Sequence, residues 1–289
     1  MVRAFCPGHI TCFFSPAGDV QGDLLARGSI GVGIRTSLGS FVEVTERSDD
    51  KVRIIIDGEP SKAPVTHHVF SEMAPGRGFD VIVEGQLPSG EGFGMSAAGA
   101  IAAALCLSDL LGLSESEAFE TAHKADILGG GGLGDVAALT CLAHQPVRMK
   151  EGIPPLGHVV GTDVRFDDLT LAVLGPKMNT GNVLSDPEVR NLIFMAGSSA
   201  VVEYMKEPSL ERLFEISNRF SLKTGLESPD VSEAILCLRR EGYKAAMCML
   251  GNSIFTDAPS DLVFDCLGLS DGVYSCSSTD GSPGLIRKA

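Results

Sequence analysis

Leu87-Pro88-Ser89-Gly90-Glu91-Gly92-Phe93-Gly94-Met95-Ser96-Ala97-Ala98 sets glycine at every second position and a serine two residues after the last of them. Small helix formers continue to Leu105, and Phe79 to Glu84 alternates upstream as a strand would. The order is therefore strand, glycine loop, helix N-terminus. Such a junction binds anions, because glycine lets the backbone approach a phosphate and the first helical N–H groups have no internal partner. A serine at the helix mouth adds a hydroxyl for phosphate or Mg²⁺. No Lys-Ser or Lys-Thr follows, so this is not a Walker loop, and the glycine spacing is not that of a dinucleotide fingerprint. Glycine-rich turns also serve as plain packing loops, so the glycines alone do not decide the function.

The chain has 289 residues, 44% hydrophobic and 21% charged, which suits one large or two modest soluble globular domains. Its formal charge of −14 argues against a nucleic-acid partner. The eight cysteines form no Cys-x-x-Cys pair, which argues against a zinc or redox motif, and they read as free thiols of a reducing cytoplasm. No secretory signal is expected, since Pro7, Gly8 and His9 break the N-terminal stretch. The longest apolar run, Ala97 to Leu107, is well short of the ~20 residues of a membrane span.

Along the chain, Arg3 to Phe14 opens as a strand and meets Pro7-Gly8, a turn signal. His9 follows, and a lone histidine there equally suits a core or turn role. Gly28 to Gly33 reads as a second glycine-rich turn containing Ser29. Phe41 to Val44 and Val52 to Ile56 read as strands, and Thr66 to Ala74 as a helix with His67 and His68 on its surface. Gly112 stops the helix that follows Ser96, and Ser114 to Glu117 form a capping box for the next. That helix carries Asp126. Gly129 to Gly134 then lead to Asp135 and an apolar helix, Val136 to Leu142. An acid directly after a glycine loop also suits a plain N-cap. His144 to Gly161 contains Pro146, Pro154 and Pro155 with little periodicity, and a domain junction is expected near its end. Leu169 to Leu174 is a strand leading into Gly175 to Leu184, where Lys177 is either an anion contact or simply solvated. Asp186-Pro187, Ser209 and Asp230 with Glu233 open three further helices. Tyr243 to Phe255 reads as a buried strand and a tight turn at Gly251, with Met247 and Met249 in the core. Ser275 to Ala289 is a polar tail whose end is expected to be disordered.

The Pro-x-Gly-x-Gly-x-Gly-x-Ser-Ala-Ala pattern resembles the phosphate loop of the GHMP kinases, the superfamily of galactokinase, homoserine, mevalonate and phosphomevalonate kinases. The usual form has two serines after the last glycine; here Met95 takes the first place. Three further motifs, Cys-Pro-Gly-His-Ile-Thr at 6 to 11, Gly-Leu-Gly-Asp-Val at 132 to 136 and Met-Leu-Gly-Asn-Ser-Ile-Phe at 249 to 255, resemble the archaeal pantoate kinase branch. The resemblance implies an α+β fold in two parts: a ribosomal protein S5 domain 2-like half over 1–160 and a ferredoxin-like half over 161–289, with the active site between them. It implies ATP and Mg²⁺, and phosphorylation of the primary hydroxyl of (R)-pantoate to 4-phosphopantoate in coenzyme A biosynthesis. Pro88, Gly90, Gly92, Phe93, Gly94, Met95, Ser96 and Ala97 would hold the nucleotide, Ser96 and Asp126 the metal, and Asp135 would be the base. Asp126 stands where the family has Glu, one methylene longer. His9, Ser29, Lys177 and Gly251 would face the substrate, with His9, Arg27, Arg35 or Lys177 supplying a cation for its carboxylate. A cytoplasmic homodimer without nucleic-acid or membrane partners is the expectation. Another GHMP kinase of mevalonate, shikimate or homoserine type, or a non-catalytic protein of this fold, remains open at this point.

Overall fold

The computed structural model describes residues 1–16, 22–177 and 186–287. The part of the Gly175 to Leu184 loop beyond Lys177, and the last two residues of the tail, lie outside them.

A long antiparallel pair forms the spine: β1 (Val2–Pro16) against β2 (Ser29–Glu46). β5 (Phe79–Gly85) extends this sheet beyond β2, followed by β3 (Val52–Ile56), which runs parallel to β5, and by the two-residue β4 (Glu59–Pro60). At the other end of β2, Gly31 and Val32 pair with β6 (Gln145–Lys150), which turns back into β7 (His158–Thr162). The expected aperiodic junction at 144–161 is thus a hairpin of the first sheet. A second sheet orders β11 (Val273–Cys276), β8 (Leu169–Val173), β10 (Ser253–Thr256) and β9 (Ala245–Met247), all antiparallel. The chain finally returns to the first sheet, where β12 (Gly284–Leu285) pairs with β1.

Two expected turns are strand. Pro7-Gly8 lies within β1 as a bulge, because pairing with β2 on both sides outweighs the local signal. Gly31 and Gly33 lie within β2, and their missing side chains serve neighbours: a Cβ on Gly33 would fall 2.0 Å from His9 Nε2, and one on Gly31 2.6 Å from an Arg148 guanidinium nitrogen.

α1 (Pro64–Met73), α2 (Met95–Leu111) and α3 (Glu115–Leu128) cover one face of the first sheet. α2 is buried on nearly every side from Ala97 to Ser108, so its alanines suit a helix enclosed by neighbours rather than an amphipathic one. Gly112 ends it at φ 70°, and the Ser114–Glu117 capping box starts α3. α4 is shorter than expected, Asp135–Leu139.

In the second half, α5 (Pro187–Tyr204) is capped by Asp186 and α6 (Leu210–Thr224) by Ser209. α7 (Pro229–Arg240) is capped by Ser228 rather than by Asp230, which sits inside its first turn. The Ser228 hydroxyl accepts from Val231 N and donates to Asn252 Oδ1 at 2.6 Å. α8 (Ser260–Leu267) packs on α7 and brings Cys266 to Cys237, Cα atoms 6.5 Å apart, as a disulfide. These two cysteines were expected free; a separation of 29 residues gave no sign of the packing. The other six are free.

The core falls into two clusters. One lies between the first sheet and α1 to α3. The other joins Ile10, Phe13 and Phe14 of β1 to the second sheet and α5 to α7. β1 therefore serves both, and the chemistry lies along it.

Candidate active site

The glycine loop crosses the middle of β1. Gly90, Gly92 and Gly94 have φ of 86°, 77° and 65°, a left-handed conformation that explains the alternate spacing. His9 N donates to Phe93 O at 3.0 Å, and a Cβ on Gly94 would lie 2.6 Å from His9 O. From the other side Ser253 Oγ donates to Glu91 O at 2.5 Å, and a Cβ on Gly251 would lie 2.1 Å from the same oxygen. The loop is thus clamped between β1 and the β9–β10 turn. Gly94 caps α2 without a side-chain hydrogen bond, so the first-turn N–H groups remain for a ligand, and Ser96 is exposed there.

Below the loop opens a cavity of about 430 Å³. Of the residues assigned to the nucleotide, Gly90, Gly92, Phe93, Gly94, Met95 and Ser96 line it; Pro88 and Ala97 do not. Asp135 and Ser29 also line it. His9, Asp126, Lys177 and Gly251 do not. His9 is fully buried, with its ring behind Asp135. Lys177 is exposed, its stem beside Gly90, so both Lys177 and Gly251 sit against the glycine loop. Arg27 is exposed, and Arg35 is buried against the C-terminal segment, donating to Gly281 O.

Asp135 is not a helix cap. Gly134 holds that position, and Asp135 Oδ1 receives His9 Nδ1 at 2.6 Å and the Thr11 hydroxyl at 3.4 Å. Burial lowers the His9 pKa against the pull of Asp135, and since a carboxylate oxygen only accepts, Nδ1 is the donor. Burial alone would raise the Asp135 pKa. The His9 hydrogen bond and the charge of Arg148 outweigh it and hold the carboxyl below its ordinary range. Asp126 behaves oppositely: burial, then repulsion by Asp135, pushes it well above that range, although Gly132 N donates to its Oδ1 at 3.2 Å. Gly131 and Gly132 pass between the two carboxylates. A Cβ on the first would lie 2.0 Å from Asp126 Oδ1, and one on the second 2.2 Å from Asp135 Oδ2. Two acids driven apart in this way mark acid–base or cation chemistry.

Sequence reasoning missed Arg148. Its side chain is buried on β6 opposite Gly31, Nε donates to Ser29 O at 3.3 Å, it lines the cavity, and one terminal guanidinium nitrogen has no partner. A buried, under-bonded guanidinium beside a carboxylate is a seat for an anionic ligand group. Thr11, Met249 and Leu250 complete this end. No sequence signal marked Arg148, because its role depends on the β2–β6 pairing and on a hydrogen bond to Ser29, 119 positions away.

A family model for the GHMP kinases N terminal domain matches residues 62–142, the segment holding the loop, α2, Asp126 and Asp135. The pantoate kinase of Thermococcus kodakarensis is 34% identical over 88% of this chain and 87% of its own length. The chain belongs to the GHMP kinases. GHMP kinases use ATP as co-substrate. The pantoate kinase of Methanocaldococcus jannaschii is 29% identical over 94% of this GHMP kinase and 98% of its own length. A solved phosphotransferase related to the CoA biosynthesis pathway superposes with a TM-score of 0.87 at 29% identity, over 99% of this chain and 98% of that one. A mevalonate kinase shares the fold at TM-score 0.67 and 13% identity, over 97% of this chain and 100% of that one. Among the described residues no helix is long and apolar enough to cross a membrane.

Proposed function

We propose that this GHMP kinase transfers the γ-phosphoryl group of ATP to the primary hydroxyl of (R)-pantoate, forming 4-phosphopantoate for coenzyme A biosynthesis in the cytoplasm. One observation carries the reading: an ionised Asp135, held by His9, shares a cavity with the buried Arg148 guanidinium and the mouth of a glycine loop. Pantoate has the two groups this pairing needs, a hydroxyl for the carboxylate and a carboxylate for the guanidinium. The relatives named pantoate kinase support the same substrate.

In this reading the loop N–H groups and the first turn of α2 hold the nucleotide phosphates. Arg148 takes the pantoate carboxylate and fixes the far end of the substrate. Asp135 orients the hydroxyl. Its oxygen bonds to the γ-phosphorus, the bond to the β-phosphate oxygen breaks, ADP leaves, and the proton passes to Asp135. A carboxylate this acidic is a weak base, so it acts mainly by orientation and takes the proton late, as a loose transition state requires.

Mg²⁺ fits the residues present. Among the described residues no three His, Cys, Asp or Glu side chains form a metal cage. A magnesium ion bound with ATP needs only one or two protein oxygens, because phosphates and water complete its shell. Ser96 at the helix mouth and Asp126 would hold it, the buried Asp126 through water, and the crowded Asp126–Asp135 pair is the kind of negative site a divalent cation relieves. When bound, the metal neutralises charge on the transferring phosphates.

The test is ADP release with Mg-ATP and a panel of pantoate, pantothenate, mevalonate, shikimate and homoserine. Turnover with pantoate alone is expected. Turnover with a different member keeps the chemistry and discards the substrate.

A further inference from the structure

Leu250 has a φ of 65°, and only Asp57 and Ala63 share a positive value among the other described non-glycine residues. A leucine in this region is sterically costly, while glycine or asparagine would adopt it freely. The turn's glycine, Gly251, is spent on the close approach to Glu91 O, and the left-handed position beside it holds a leucine. Such outliers persist only where the surrounding structure holds them, and they cluster at ligand sites.

The place is the cavity wall between the glycine loop and β1, for a Cβ on Gly92 would lie 3.0 Å from Met249 O. Leu250 and Met249 line it. Met249 N donates to Thr11 O at 3.0 Å, and the Thr11 hydroxyl reaches Asp135. The turn is therefore docked on the strand position that supports the reacting carboxylate. Phe14, which also lines the cavity, pairs across β1–β2 with Gly31, and Gly31 pairs with Arg148. Apolar groups thus flank both Asp135 and the guanidinium. Neither a phosphate nor a carboxylate calls for them.

We propose that Phe14, Met249 and Leu250 form an apolar subsite for a branched alkyl carbon lying between the carboxylate and the phosphorylated hydroxyl, and that this subsite sets selectivity against unbranched hydroxy acids. The inference rests on the reading under Proposed function, since pantoate carries two methyl groups at that carbon.

The experiment compares kcat/KM for pantoate and for 2,4-dihydroxybutyrate, the same acid without the methyls, at saturating Mg-ATP. The unaltered chain prefers pantoate by about 10- to 200-fold, the range that small apolar groups supply in a fitted pocket. Leu250→Gly and Leu250→Asn, both suited to the backbone, each reduce that preference on the order of tenfold. They do so by raising the pantoate KM more than they lower kcat, with thermal unfolding no lower than before. An unchanged preference in both variants overturns the subsite while leaving pantoate as substrate. A chain that turns over neither acid overturns the substrate reading, and the subsite falls with it.

Discussion

Replacing His9 by alanine tests how the Asp135 carboxylate, the proposed base, is kept ionised. His9 is fully buried and its Nδ1 lies 2.6 Å from Asp135 Oδ1, so the substitution deletes one charge-assisted hydrogen bond. Such a bond contributes about 1.5–3 kcal/mol. Its loss leaves burial less opposed and raises the Asp135 pKa. The sign follows from the direction of the shift. A depressed carboxyl stays ionised to lower pH, so removing the donor makes it protonate earlier as pH falls, and the acid limb of kcat/KM moves to higher pH. The rate deficit of the variant therefore widens as pH falls. His9→Asn provides the control, because its amide N–H stands near the Nδ1–H and keeps most of the profile. The assay is ADP release with pantoate across pH at saturating Mg-ATP. An acid limb that stays in place in a folded His9→Ala protein refutes the reasoning.

Further expectations follow from the same geometry. Gly251→Ala drives a methyl toward Glu91 O, 2.1 Å from the new carbon, and displaces the phosphate loop; the KM for ATP rises by about 10- to 100-fold, measured by steady-state kinetics. Arg148→Met raises the pantoate KM by roughly 30-fold or more with little change in ATP affinity, and Arg148→Lys does not restore it, because an ammonium lacks the planar fork. Ser228→Ala removes the α7 cap and the bond to Asn252, about 2 kcal/mol together, and lowers the calorimetric melting temperature by roughly 4–8 °C.

The parts of this site that were legible in the sequence are local ones. Alternate glycines announced a tight glycine loop, because three left-handed residues within five positions demand that spacing. Gly112 and Ser114 announced helix ends, because caps act within a turn. What was hidden depends on pairing across the fold. Gly31 and Gly33 read as a turn, yet they are strand glycines that make room for Arg148 and His9. Pro7-Gly8 read as a turn, yet pairing with Gly39 and Thr36 keeps it in β1. Ser228 was passed over for Asp230 because both can cap, and only the path of the chain chooses between them. Cys237 and Cys266 meet through helix packing that no local spacing records.

The most direct test of the account follows phosphoryl transfer to pantoate by ³¹P NMR, with ATP affinity measured alongside, for the unaltered chain and for Asp135→Ala. The account predicts a new phosphomonoester on the primary hydroxyl from the unaltered chain. From Asp135→Ala it predicts a rate lower by about 10²- to 10⁴-fold with ATP affinity retained. No product from pantoate, or undiminished transfer by Asp135→Ala, would contradict it.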